Sequence, residues 1–130
     1  MRLRMKTLAV TILLLTAAAA CGGGGSSPPP GTTPSNPNQI VISSSGNVSP
    51  AEIVVSPGSR VLVVNNDSRR HDMVSDPHPE HTMCPEINAV GVLLAGQSRE
   101  TSNLVAARTC TYHDHENPDM AGLKGRIVIR

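Results

Sequence analysis

The sequence predicts an all-β domain, a two-sheet Greek-key sandwich of seven or eight strands, and three observations carry that expectation. Short runs rich in β-branched residues recur from Gln39 to the end of the chain. Turn signals separate them, among them "SSGNVSP", "SPGS", "NNDS" and "AGQS". Beyond the first twenty residues, nothing holds a helical period over three turns.

The first run is "QIVIS", closed by the "SSGNVSP" turn. "AEIVVS" follows, with the alternation of inward and outward positions that a strand with one buried face requires. The Pro-Gly turn "SPGS" leads into "RVLVVNN", which alternates in the same way and ends at "NNDS". "HDMVS" then enters a proline-rich loop carrying His78 and His81. "AVGVLLA" and "SRETSNL" flank the "AGQS" turn, "RTCTYH" runs into the polar loop "DHENPDMAG", and "GRIVIR" closes the domain. A sandwich is the architecture that many short strands at this spacing support.

Residues 1–38 are read apart from that domain. "MRLRMK" is a basic segment and "TLAVTILLLTAAAA" an apolar one, the two parts of a secretory signal peptide over residues 1–20. Cys21 follows directly and opens a Gly/Ser/Pro-rich tract, 21–38, whose composition suits a tether and not a core. Small residues before such a cysteine resemble a bacterial lipoprotein. The resemblance implies lipidation of Cys21, attachment to a membrane, and a domain over 39–130 held outside the cytoplasm, in the periplasm or at the cell surface.

Composition narrows the function. A net charge of +1 gives no electrostatic case for binding nucleic acid. Phe and Trp are absent and Tyr112 is the single aromatic, so Val, Ile, Leu and Met must build the core. A small domain with so thin a core often relies on a covalent or metal staple. With Cys21 assigned to the lipid, Cys84 and Cys110 remain in an oxidising compartment. A link between them, across about 25 residues, contributes roughly 3 to 4 kcal/mol. The alternative leaves Cys84 free and Cys110 a metal thiolate.

"SPAEIVVSPGSRVLVVNNDSRRHDMVSD" resembles the first half of a small cupredoxin, in which an Asn-Asn-Asp segment leads to the first copper-ligating histidine, here His71. "LLAGQSRET" and "ARTCTYHDHENPDMAG", followed by "GRIVIR", resemble that family's later strands and ligand loop. The match runs from Ile40 to Arg130. Family members carry Thr-Tyr-His-Cys, two further residues, then a histidine, a proline and a methionine two positions later. Aligned without gaps, Thr111, Tyr112 and His113 match, but Asp114 stands at the thiolate position and Asn117 at the second histidine. Pro118 and Met120 complete the pattern. Cys110 precedes the thiolate position by four residues, sharing a strand face with Tyr112 and Asp114, where it is placed to bridge to Cys84.

Without the thiolate, a histidine cluster remains. The five histidines fall in two segments, His71, His78 and His81 in one, His113 and His115 in the other. The expected ligands are His71, His81, His115 and His113, with Asp114 as an oxygen donor or an acceptor that orients an imidazole. Whether His78 or His81 joins is left open. Such a set suits Cu(II) or, in tetrahedral geometry, Zn(II), and the resemblance favours copper. In a rival register His71, Cys110, His113 and Met120 form a blue copper electron-transfer site. A third reading is a metal-free interaction module. No phosphate-cradling glycine loop, nucleophile elbow or carboxylate pair stands out, so no enzyme is expected. The leading expectation is copper handling or delivery, with a redox or copper-transfer protein as partner.

Overall fold

The computed structural model describes residues 36–130. The signal segment, Cys21 and the tether as far as residue 35 lie outside the described residues. Among the described residues the chain forms β1 (Gln39–Ile42), β2 (Val48–Ser49), β3 (Glu52–Val55), β4 (Leu62–Asn65), β5 (His71–Ser75), β6 (Gly91–Leu93), β7 (Ser98–Glu100), β8 (Arg108–Asp114) and β9 (Gly125–Ile129). Short 3₁₀ turns at Ile87–Ala89 and Ala121–Leu123 complete it.

The strands build two mixed sheets, ordered β2-β1-β4-β7 and β3-β9-β8-β5-β6. The β1–β4 and β3–β9 pairs are parallel and the others antiparallel. Alternation is the physical origin of the sandwich: Ile40 and Ile42, Ile53 and Val55, Val63, and Ile127 and Ile129 are buried at every second position of their strands. They meet Met73, Leu93, Cys110 and Tyr112 in one apolar cluster between the sheets. Each such side chain removed from water contributes about 1.5–3 kcal/mol.

Two details depart from the sequence reading. Nine strands form among the described residues where seven or eight are expected, because Val48 and Ser49, inside a predicted turn, pair with Ile42 and Val41. "SRETSNL" is a strand only over Ser98–Glu100, since Leu104 is fully buried and exchanges backbone hydrogen bonds with Gly58 and Ser59 instead.

Tyr112, the lone aromatic, packs its ring against the Gly125 backbone opposite it in the sheet, and a Cβ there would collide with the tyrosine hydroxyl. The Cys84–Cys110 disulfide forms as expected, with Cα atoms 5.7 Å apart, and ties the 76–90 loop to β8.

Candidate metal centre

The 76–90 loop is held by more than the disulfide. Cys84 N–H donates to Ser75 Oγ (2.8 Å), Met83 N–H to the Asp76 carbonyl (2.8 Å), and Asn88 Nδ2 to the His81 carbonyl (2.9 Å). His81 itself adopts φ 52°, a left-handed conformation uncommon outside glycine. These constraints bring His78 and His81 onto the outer face of β8. Alternation places His113 and His115 on that same face, two residues apart, while Tyr112 and Asp114 face the other way. His115 N–H donates to the Asp72 carbonyl (2.8 Å), which continues the ladder just beyond the strand and fixes this orientation.

Four imidazoles therefore converge. One ring nitrogen from each of His78, His81, His113 and His115 lies within 4.8 Å of the others. His115 Nδ1 and His81 Nε2 are 3.1 Å apart, close to the spacing of neighbouring nitrogens on a four-coordinate ion with bonds of ~2.0–2.1 Å. The rings are tilted or edge-on to one another, with centroids 4.8–5.6 Å apart.

His113 is the anchor. It is buried, and its Nδ1 donates to Asp76 Oδ1 at 2.5 Å, a carboxylate partner that leaves the lone pair on Nε2. That Nε2 is buried with no hydrogen-bond partner. A buried acceptor without a partner costs about 1–3 kcal/mol, and a cation in the cluster would relieve it. Partial burial, followed by the neighbouring His115, His113 and His78, pushes the His81 imidazole below its ordinary pKa, toward the neutral form that can ligate.

His71 and Asp114 are placed elsewhere. The His71 ring is fully buried, with Nδ1 2.9 Å from Asp114 Oδ2 and Nε2 3.1 Å from Asp67 Oδ2. Both ring nitrogens of His71 are thus already engaged by carboxylates. Burial opposes the charge on Asp67, but Arg69, His71 and the Ser68 N–H together outweigh it and hold the carboxyl at about 2. Burial likewise opposes the charge on Asp114. The Asn117 amide, His71 and the Asp72 and Glu116 N–H groups overcome it and lower that carboxyl too.

No protein-family description and no curated protein matches this chain. Solved structures do. A purple cupredoxin from Nitrosopumilus maritimus superposes with a TM-score of 0.55 at 19% identity, over 71% of this chain and 98% of that one. Oxidised plastocyanin from the fern Dryopteris crassirhizoma gives 0.55 at 19% identity, over 71% and 99%. An amicyanin mutant with Cu(I) gives 0.55 at 17% identity, over 71% and 80%. The fold is cupredoxin-like. At these identities the likeness is one of fold, and the donor set of this cupredoxin-like domain must be read from its own residues.

Of the expected ligands, the structure brings together His81, His113 and His115, and it adds His78. It does not bring in His71 or Asp114, whose expected role as ligands is corrected: each is saturated by the other and by Asp67 or Asn117. Asp67 is the residue the sequence reading missed. Its only signal is an acid four positions before His71, matching the carboxylate at position 114. The rival register does not assemble either, since the Cys110 sulfur is bonded to Cys84, Met120 lies on the surface, and His71 is inside the carboxylate clasp. The cupredoxin-like domain thus has two polar centres on opposite faces of β8, an acid–histidine clasp inside and an imidazole cluster outside.

The cluster fits a borderline divalent ion. Imidazole nitrogens without thiolate suit Cu(II) and Zn(II), and the Asp76 carboxylate supplies the supporting hydrogen bond that fixes a ligand's tautomer.

Proposed function

We propose that this domain binds copper through His78, His81, His113 and His115, and serves copper handling or delivery outside the cytoplasm. The buried, unpartnered Nε2 of His113 carries the reading, because Asp76 holds the ring's other nitrogen, the ring stands among three further imidazoles, and no protein group satisfies Nε2. Copper is favoured over zinc by the affinity order of divalent ions for nitrogen sites and by the likeness of fold to a Cu(I)-containing amicyanin. Electron transfer through a copper thiolate is the weaker reading, because the Cys110 sulfur is committed to the disulfide. We read the chain as a binding protein and not an enzyme. A disulfide suits an oxidising compartment, in keeping with a lipoprotein anchored through Cys21 that passes copper to a redox or copper-transfer partner.

The test is a Cu(II) titration of the purified full chain, followed by spin resonance and visible absorption, with zinc as competitor. One copper per chain is expected, with nitrogen hyperfine structure and no intense thiolate band. Asp76→Asn should weaken binding by about 10- to 100-fold by releasing the His113 tautomer while leaving the fold intact. Failure to bind copper, or an intensely blue complex, would overturn the proposal.

A further inference from the structure

A cavity of about 670 Å³ opens beside the imidazole cluster, and His78 and His113 form part of its wall. Met83 lines the same cavity. Its side chain is 44% exposed, unlike that of Met73, which is 1% exposed and fills the core. Met83 is one of several exposed apolar side chains, so what sets it apart is its place in the cavity wall and not its exposure. The residue is nonetheless fixed. Its N–H is bonded to the Asp76 carbonyl, Cys84 beside it is cross-linked to β8, and the Thr111 hydroxyl donates to its sulfur at 3.4 Å. That contact occupies one sulfur lone pair and leaves the other. The wall also carries two carboxylates, Asp76 and Asp119, against one ammonium, Lys124, a balance that favours a cation.

Two histidines and one methionine thus line one cavity. Thioethers select soft d¹⁰ ions, whereas the all-imidazole set suits Cu(II). We propose that Met83, together with His78 and His113, forms a second ligand face for a soft monovalent cation, Cu(I) or Ag(I). The domain then holds copper in either oxidation state with overlapping donors. This deepens the proposed copper-binding function and rests on it for the shared histidines. Met120 is similarly exposed, at 42%, but does not line the cavity, so it serves as the internal control.

Ag(I) tests this without a redox step. The full chain is used with Cys21→Ser, so that no thiol outside the disulfide competes, and with ¹³C-labelled methionine methyl groups. On adding Ag(I), the Met83 methyl resonance should shift while those of Met73 and Met120 stay in place. Met83→Leu should lower Ag(I) affinity by about tenfold or more and leave Cu(II) affinity unchanged, and Met120→Leu should alter neither. A stationary Met83 resonance, or an Ag(I) affinity indifferent to Met83→Leu, would overturn the inference. If Cu(II) binds normally in that case, the four-histidine reading survives alone. If Met83 responds to Ag(I) while Cu(II) fails to bind, the soft face stands and the four-histidine reading falls.

Discussion

His71 shows how a histidine in a familiar context acquires a different task from its neighbours in space. Asp67 lies four residues away in sequence, in the turn after β4, but Asp114 comes from β8, 43 residues on, and no local pattern announces that the two carboxylates would close on one ring. The register reading did locate Asp114 at the thiolate position. What it lacked was the acid on the other side, so the imidazole was expected to be free. Replacing His71 with Gln leaves two buried carboxylates facing one another without the imidazole that bridges them, and should cost about 3 kcal/mol or more in a urea denaturation series. Copper affinity should be almost unchanged, because the clasp and the cluster occupy different faces. The pH dependence follows from Asp67. Its folded carboxyl, at about 2, lies below the ordinary value of 3.8, so its contribution to stability is complete above 3.8 and is lost as pH falls through about 2. Asp114 is shifted in the same direction and adds to the effect. The urea midpoint of the wild type should therefore drop as pH falls from 3.8 towards 2, and Asp67→Asn should flatten that slope.

At the scale of elements, the loop between β5 and β6 and the last third of β8 make one unit. Strand alternation was legible in advance, and with Cys110, Tyr112 and Asp114 on one face of β8 it leaves His113 on the other. It did not reveal that this outer face is itself covered, because burial of His113 depends on the proline-rich loop folding back over it, and a loop of Asp, Pro and His carries no period from which its path can be read. The cysteines were the legible part of that path, since pairing Cys84 with Cys110 requires the loop to return to β8. Replacing both with serine should cost roughly 3 to 4 kcal/mol of stability and, more tellingly, should weaken Cu(II) binding, because His78 and His81 would lose their tether to the strand bearing His113 and His115. Titrating the double variant with Cu(II) at a temperature where it remains folded checks this. Affinity equal to the wild type would show that hydrogen bonds through Ser75 and Asn88 suffice.

For the whole molecule, the sandwich was readable because β1, β3, β4 and β9 alternate cleanly and the turns between strands are rich in Gly, Pro, Asn and Ser. Its two mixed sheets were not, because parallel pairs such as β1–β4 and β3–β9 join segments that lie apart in sequence. The ligands come from two segments separated by more than thirty residues, so an ion bound to all four histidines holds only the folded chain together. Copper at 100 times its dissociation constant should add about 2.7 kcal/mol to the unfolding free energy. A melting temperature that does not respond to Cu(II) would mean that the ligands are already assembled in the unfolded chain or never assemble at all. The alternation of β8 has a further consequence. Since His113 belongs to one side of the ribbon and Asp114 to the other, inserting or deleting a single residue upstream would exchange them, sending an imidazole into the interior and a carboxylate among the outer histidines. Both centres would fail in one event, so this stretch of chain can change its letters but not its length.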